Sequence, residues 1–389
     1  MKILHTADWH LGKLINNTFM TDDQLELLSK IKQIISEREI DVVIVAGDVY
    51  DRSIPPVEAV NLLSDFLTDI TKHREVKVIM SSGNHDSASR LSFGAPLFSS
   101  NGVYLVGQAE KGYQKIEIAD GEGEITDFYV IPYLTPFEGR KQFDNPDLKT
   151  NDDLYEYLFE KISEERQEAH HSVIVAHGFV IGMDLPEESE SERPLSIGGA
   201  DYISYRHFLP YDYTALGHLH NPQKVGTEHI RYSGSLLKYS FSESQSQKGV
   251  VIVMLSSELD GNRQVEFVPI KPTRDMRIIK GPLMELVSEQ VASSGNREDY
   301  IHAILTDRGE LIDPIYTLRS VYPNVLSVEK APTLKAGRSG DGYSVDIQEK
   351  DPFVLFEAFH EQIEGDSLTE AEREFVKACI ESVLGEETK

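Results

Sequence analysis

Cysteine is almost absent from this chain of 389 residues, since Cys379 is the only one. A single thiol excludes an internal disulfide and a cysteine-based metal site, and it suits a reducing compartment. Apolar runs of the roughly 18 to 20 residues that cross a bilayer are also lacking. The first ten residues contain an aspartate and two histidines, where a secretory signal needs a continuous apolar stretch. We therefore expect a cytoplasmic protein with no membrane partner.

Basic residues are few compared with acidic ones: 38 Lys and Arg stand against 65 Asp and Glu, a net charge of -27. This balance excludes a protein that holds nucleic acid through overall basicity. A polyanionic substrate must therefore be bound by a local site. The 40% of hydrophobic residues is typical of globular proteins, and the length predicts two or three domains.

The first 270 residues alternate short apolar runs with amphipathic stretches, which is typical of an α/β or α+β core. Helices are predicted at 22–39, 55–72 and 152–168, and late strands at 230–232, 250–255 and 264–270. The pattern predicts two sheet layers covered by helices. The apolar runs that predict the earlier strands are Ile3–Leu4, Val42–Ala46, Val76–Met80, Val103–Val106, Phe128–Ile131, Val173–Ala176 and Tyr213–Leu216.

Behind this first domain, residues 1–270, the order changes to strand, helix, strand, helix, strand, with one helix expected over 283–292. This order predicts a small α/β domain at 271–332. Residues 333–350, rich in Gly, Ser and charge, predict a linker. Residues 351–389 predict two amphipathic helices, whose apolar stripes either fold back as ordinary core or bind a partner.

Five short segments carry the unusual side chains, and each follows an apolar run. In extended backbone, residues i and i+2 share a face, so the two side chains of an Asp-x-His or a His-x-His segment can bind the same ion. Two such pairs of side chains predict two metal ions. The mixture of imidazole, carboxylate and amide suits manganese, iron or zinc better than magnesium or calcium, and we expect manganese. The segments are Asp8–His10, Gly47–Arg52, Gly83–Asp86, Ala176–Gly178 and Gly217–His220.

Each segment alone has an ordinary explanation, because Asp-x-His occurs by chance and Gly-Asn-His-Asp favours a turn. Taken in order, the five segments resemble the calcineurin-like metallophosphoesterase superfamily, whose pattern is D-x-H, G-D-x-x-D, G-N-H-D, a histidine before glycine, and G-H-x-H. The longer strings at 4–12, 83–91, 213–223 and 232–243 resemble the SbcD family of nuclease subunits. This resemblance implies a two-sheet metallophosphoesterase sandwich flanked by helices, a small α/β capping domain and a C-terminal helix pair.

The resemblance also implies the ligands of both ions. Asp48 would bridge them with its two oxygens and hold them at the separation of roughly 3.5 to 4 Å that two-metal hydrolysis uses. His85 is absent from the implied ligand set, so we expect it to protonate the leaving 3′ oxygen, with Asp51 orienting its ring. His85 as a further ligand is the alternative. The first ion would take Asp8, His10, Asp48 and His220, and the second Asp48, Asn84, His177 and His218.

The implied activity is that of a metal-dependent phosphodiesterase acting on DNA, as exonuclease and endonuclease, at double-stranded ends, hairpins and single strands. The implied setting is DNA repair, recombination and replication, with an SbcC-type ATPase subunit bound by residues 351–389 and a homodimer within a heterotetramer. A generic phosphatase or phosphodiesterase would share every ligand. A non-catalytic scaffold is the third reading, and the complete ligand set opposes it. Trp9 and Tyr50 either pack beneath the site or stack on a base.

Overall fold

The computed structural model describes residues 1–72, 76–183, 185–192, 202–259, 263–307 and 309–331, and beyond them residues 353, 356–357, 360, 368–370, 372–377 and 380. The chain divides into two compact units, Met1–Lys330 and Ala331–Lys389. None of the helices in the described part combines the length and the apolar character that a membrane span requires.

Strands and helices alternate through the described residues of 1–330. The helices α1 to α9 lie at Thr21–Glu37, Val57–Lys72, Ala88–Leu91, Ala95–Ser99, Pro136–Phe143, Asn151–Glu165, Leu283–Leu286, Glu289–Ala292 and Pro314–Arg319. Short 3₁₀ helices lie at Tyr205–Phe208 and Phe241–Glu243. The strands β1 to β19 lie at Lys2–Thr6, Leu14–Ile15, Thr18–Phe19, Val42–Ala46, Lys77–Ser81, Val103–Val106, Gln114–Ala119, Ile125–Ile131, His171–His177, Phe179–Ile181, Tyr202–Ser204, Tyr213–Gly217, Gln223–Val225, Thr227–Tyr232, Gly249–Leu255, Arg263–Pro269, Met276–Gly281, Tyr300–Leu305 and Val325–Lys330.

Two six-stranded sheets form the main body, in the orders β16-β15-β1-β4-β5-β6 and β13-β14-β12-β9-β8-β7. In the first sheet, β1, β4, β5 and β6 are parallel, and in the second β8, β9, β12 and β14 are parallel. Every strand predicted before residue 271 is present. Strands such as β7 were not predicted, because their alternation of polar and apolar residues contains no continuous apolar run.

Residue alternation along the strands builds four layers. In β4, Val42 and Ile44 enter a core that also contains Phe128 and Tyr213 of the second sheet, so this core lies between the sheets. The alternate residues, such as Val43, face the opposite side, where α1 and α2 cover the first sheet. Helix α6 covers the outer face of the second sheet. The predicted two-sheet sandwich flanked by helices is confirmed.

Residues 276–330 build a parallel three-stranded sheet, β17-β18-β19, with its own apolar core. The prediction of one helix over 283–292 is wrong, because two short helices occupy this stretch. Ser288 has extended backbone angles, φ -67° and ψ 149°, and its side chain accepts from the Val291 amide as the cap of a new helix. A serine favours such a cap over a helix interior.

In the unit 331–389, residues 353, 356–357, 360, 370, 372–377 and 380 are helical, as predicted. The Thr369 amide donates to the Glu372 carboxylate at 2.8 Å and the Glu372 amide donates to the Thr369 hydroxyl at 3.4 Å, which is a capping box at the start of the second helix. Arg373 pairs with Glu357 at 2.6 Å. The predicted linker 333–350 and the other residues of the helix pair lie outside the described residues.

Candidate metal centre

Five parallel strands bring the sequence motifs to one edge of the sandwich. β1 leads into Asp8 and His10, β4 into Asp48, β5 into Asn84, β9 ends at His177, and β12 leads into His218 and His220. The carboxyl ends of parallel strands share one edge, which explains why distant segments meet. All seven side chains are buried except Asn84, which is half-buried. Every predicted ligand therefore lies in one cluster.

The first group of ligands, here the His10 group, consists of Asp8, His10 and His220, whose ligand atoms lie within 4.8 Å of one another. The Nε2 atoms of His10 and His220 face each other at 3.1 Å. Burial lowers the pKa of both imidazoles, and this favours the neutral form that binds metals. Two neutral ring nitrogens aimed at one point are suited to a shared cation.

The second group, here the His177 group, consists of Asn84, His177 and His218. The Nε2 atom of His177 lies 3.0 Å from the Asn84 amide oxygen, and the rings of His177 and His218 have centroids 5.4 Å apart. Burial lowers the pKa of His218 to about 3. Burial alone would also lower the pKa of His177, but the carboxylates of Asp48 and Asp8 outweigh it and raise that pKa to about 9. Positive charge is therefore favoured at this locus.

Asp48 lies between the two groups. Its Oδ2 atom is 3.7 Å from His10 Nε2 and 3.5 Å from His177 Nε2, while its Oδ1 accepts the His85 amide at 2.8 Å. The cluster as a whole offers two buried carboxylates, one amide and four imidazoles, a donor set that fits two divalent ions. Asp48 lies within 4 Å of one imidazole from each group.

Four residues of the cluster adopt backbone angles that side-chain-bearing residues rarely take: φ is 52° at Asp8, 44° at His10, 50° at Asp48 and 112° at His218. Each such residue costs on the order of 1 to 3 kcal/mol, so the surroundings must hold it. Backbone bonds between the two motif loops do so, from Asp8 to Gly47 at 3.1 Å and from His10 to Asp48 at 2.9 Å. Strain concentrated at one cluster marks it as a functional site.

His85 lies beside the cluster. Its Nδ1 is 2.8 Å from the backbone carbonyl oxygen of Asp51, and its Nε2 is 4.0 Å from Asp48 Oδ2. Asp51 therefore contacts the His85 ring as predicted, but through its backbone carbonyl and not through its carboxylate. The Asp51 carboxylate pairs with Lys13 at 2.8 Å, and the carbonyl is left to hold the imidazole.

Comparison with known proteins agrees with this geometry. The model of the family described as calcineurin-like phosphoesterase matches residues 1–222, and that described as type 5 capsule protein repressor C-terminal domain matches 272–364. The SbcD component of the nuclease SbcCD from Staphylococcus epidermidis is 31% identical over 389 residues, which is 100% of each chain. The chain belongs to the SbcD family of calcineurin-like phosphoesterases.

Two solved structures resemble the fold more distantly. The GAP50 anchor of the inner membrane complex of Plasmodium has a TM-score of 0.43 at 14% identity, covering 87% of this chain and 99% of its own. A dimetal phosphatase from Danio rerio has a TM-score of 0.38 at 10% identity, covering 65% and 92%. At these low scores neither likeness bears on function.

Other motif residues of this SbcD-family chain have structural roles. Trp9 is fully buried and donates to the Thr6 hydroxyl at 2.9 Å, so it packs beneath the site and cannot stack on a base. His5 bonds the Tyr213 hydroxyl at 2.8 Å, and Asp86 accepts three backbone amides from the loops after β4 and β5. Arg52 differs, since its side chain is exposed.

Several supporting residues were not predicted from the sequence. Gln24 of α1 donates to the His10 carbonyl at 2.8 Å and accepts the Gly12 amide at 3.0 Å. Its neighbour Asp23 binds Arg274 through two bonds of 2.8 Å, linking α1 to the start of the small sheet. Around His220 lie Ser191, Glu192, Glu243 and Lys248. Two features of the sequence could have pointed to these residues: the adjacent Asp23 and Gln24 on the apolar face of a predicted helix, and Glu243 at the end of the 232–243 string. Neither feature indicates which residue the side chain contacts.

Proposed function

We propose that this chain is the nuclease subunit of an SbcCD-type complex and hydrolyses DNA phosphodiester bonds at DNA ends and hairpins with two manganese ions. The observation that carries the proposal is that all seven predicted ligand side chains, Asp48 among them, lie in one cluster. Asp8, His10, Asp48 and His220 would hold one ion, and Asp48, Asn84, His177 and His218 the other. Such ions supply an activated water and stabilise the charge that develops at phosphorus.

His85 supplies a proton in this proposal. The Asp51 carbonyl accepts from its Nδ1, which orients the ring with Nε2 toward the cluster. From there Nε2 donates a proton to the leaving 3′ oxygen, a contribution of about 10² to 10⁴ in rate. Repair and recombination of DNA in the cytoplasm, where a single cysteine stays reduced, is the proposed setting.

A substrate panel separates this activity from that of a general phosphatase. The purified chain is given linear duplex, hairpin and single-stranded DNA and a chromogenic phosphate ester, each with manganese, magnesium or zinc. We expect the DNA substrates to be cleaved, most rapidly with manganese. Hydrolysis of the ester alone would contradict the nuclease assignment, and faster cleavage with zinc would contradict the choice of metal.

The proposed partner is an SbcC-type ATPase, bound by the helix pair of 351–389. The support is the family membership and the exposure of two apolar side chains, Phe356 at 40% and Phe375 at 70%. Deletion of 351–389 should leave a folded chain that binds metal and cuts single strands but no longer copurifies with the ATPase. Undiminished ATPase binding would exclude the helices as the anchor, and an unfolded product would make them core.

A homodimer, two copies within a heterotetramer, is the proposed assembly. Four apolar side chains are 67 to 82% exposed: Ile54, Val57, Phe93 and Leu97. They lie in or beside the helices α2, α3 and α4, which pack into one core and so cover the same face of the first sheet. An exposed apolar patch of this kind favours self-association. Phe93→Asp with Leu97→Asp should shift the sedimenting species from dimer to monomer. Phe137→Asp is the control, at a phenylalanine elsewhere that is 69% exposed, and a dimer that survives in the double variant would contradict this interface.

A further inference from the structure

Glu243 is a charged side chain buried beside the metal cluster but outside the ligand set. It is 1% exposed and ends the 3₁₀ helix Phe241–Glu243. Its Oε2 lies 2.6 Å from Nζ of Lys248, which is itself 4% exposed. Burying an ion pair gains little stability, because the desolvation cost offsets the attraction. The position of the pair therefore points to a role at the neighbouring ligand.

That neighbour is His220, whose two ring nitrogens have different surroundings. Nε2 faces His10 across 3.1 Å, while Nδ1 lies 2.5 Å from the Ser191 hydroxyl oxygen and 3.4 Å from Glu243 Oε1. The Ser191 hydroxyl in turn lies 2.5 Å from the same carboxylate oxygen. A hydrogen-bonded path thus runs from the imidazole through Ser191 to Glu243.

The Glu243 carboxylate determines which group donates in each hydrogen bond of this path. A carboxylate only accepts, so the Ser191 hydroxyl donates its hydrogen to Glu243 and its oxygen accepts from the imidazole. The proton of His220 must then reside on Nδ1, which leaves the lone pair of Nε2 facing the cluster. That tautomer is the one that binds a metal ion through Nε2.

Lys248 holds the carboxylate from its other side. Its ammonium also donates to the backbone carbonyl of His220 at 2.6 Å and to the Ser235 hydroxyl at 2.9 Å. One buried ion pair is therefore tied to both the main chain and the imidazole of the same ligand.

We propose that Glu243 is a positioning residue for the ion of the His10 group: through Ser191 it keeps His220 in the Nδ1–H tautomer and aims Nε2 at that ion. The inference rests on the proposed function, because it requires a metal ion at the cluster. The His177 group meets the same requirement differently, since Nδ1 of His177 lies 2.9 Å from the backbone carbonyl of Ala46.

Glu243→Gln tests the direction of the path. The amide oxygen of the glutamine should accept from the Lys248 ammonium, so its NH₂ group faces Ser191. This NH₂ group donates to the Ser191 oxygen, and the Ser191 hydroxyl then donates to His220. His220 Nδ1 then accepts, and the proton moves to Nε2, where it blocks the ion. In calorimetric titration of the full chain with Mn²⁺, we expect one site to weaken by about 10- to 100-fold while the other is unchanged. In the metal-free protein, ¹⁵N imidazole spectra should show His220 changing from the Nδ1–H to the Nε2–H form.

Ser191→Ala is the second variant, because it interrupts the path without leaving a buried charge unpaired. We expect the same site to weaken by less, about 3- to 10-fold, since Glu243 Oε1 remains near Nδ1. Ser189→Ala is the matched control: its hydroxyl donates to the same carboxylate oxygen at 2.8 Å and lies 2.8 Å from the Ser191 hydroxyl, but it makes no hydrogen bond to His220. It should bind both ions as the wild type does.

Wild-type titration and an unchanged His220 tautomer in both Glu243→Gln and Ser191→Ala would overturn the inference. Equal weakening in Ser191→Ala and Ser189→Ala would do the same, since the effect would then be structural. A wild-type chain that binds no Mn²⁺ would contradict the proposed function instead, and the tautomer of the metal-free variants would still decide the role of Glu243.

Discussion

The two ligand groups of the cluster are held in place by different kinds of atoms. In the His177 group, His177 is the last residue of β9, and a backbone carbonyl of β4 in the opposite sheet fixes its ring. In the His10 group, side chains distant in sequence add to the backbone bonds that hold Asp8 and His10. Gln24 holds the His10 carbonyl, and Ser191, Glu243 and Lys248 hold His220.

This difference separates what the fold dictates from what individual side chains add. A backbone carbonyl at the end of a paired strand is present whatever residue occupies the position, so the His177 group depends on sheet register and on the space around it. The His10 group depends on four replaceable side chains outside the motifs. We therefore expect substitutions remote from the motifs to weaken the ion of the His10 group first.

Asp48 lies between the two groups, and its removal should affect both of them alike. Asp48→Ala should lower Mn²⁺ affinity at both sites by more than about 100-fold, because a shared ligand is lost, not merely its support. His10→Ala and His177→Ala are the one-sided controls, each expected to release chiefly one ion. Metal content after gel filtration measures all three. Loss of a single ion in Asp48→Ala would exclude a shared carboxylate.

His85 should behave as a member of neither group. His85→Gln is expected to reduce cleavage by about 10² to 10⁴ while both ions stay bound, because a proton donor is lost and no ligand is. Cleavage of a DNA hairpin and metal content are measured on the same preparation. An ion lost together with activity would make His85 a ligand and remove its role as an acid.

The side chains of both groups lie in short motifs after apolar runs, so the sequence predicted that they meet, and the structure brings them together. Their assignment as ligands of two ions comes from the family resemblance and stays a prediction. The sequence also predicted the two-sheet sandwich, since continuous apolar strands need cover on both faces. It did not predict the contacts of Gln24, Ser191 and Glu243. These contacts join residues that are distant along the chain, and no local pattern records which buried polar side chain meets which ligand.

Sequence also missed that Asp51 uses its carbonyl rather than its carboxylate toward His85. Side-chain identity predicts a carboxylate–histidine pair, but Lys13, from the loop after His10, takes that carboxylate. Likewise, the break between α7 and α8 depends on Ser288 capping a new turn, a choice that apolar spacing over 283–292 does not reveal. The spacing of apolar residues thus predicts helices and strands. Where a helix breaks, and which atom of a side chain or backbone makes a hydrogen bond, depends on which neighbouring groups compete for it.

Gly47→Ala sharpens the comparison with the smallest expected effect, since it crowds the His177 ring without removing a ligand or a hydrogen-bonding side chain of the cluster. Gly47 has φ 84°, and a Cβ there would lie 2.2 Å from Nδ1 of His177. The substitution adds about 1 to 2 kcal/mol of backbone strain and about 1 to 3 kcal/mol of overpacking. Gly123→Ala is the matched control, because Gly123 has φ 87° but no atom within 4 Å of such a Cβ. We expect Gly47→Ala to melt at a lower temperature than Gly123→Ala and to lose Mn²⁺ from one site, the site that Glu243→Gln leaves intact. Equal melting temperatures and full metal content in both glycine variants would show that the main chain does not position His177.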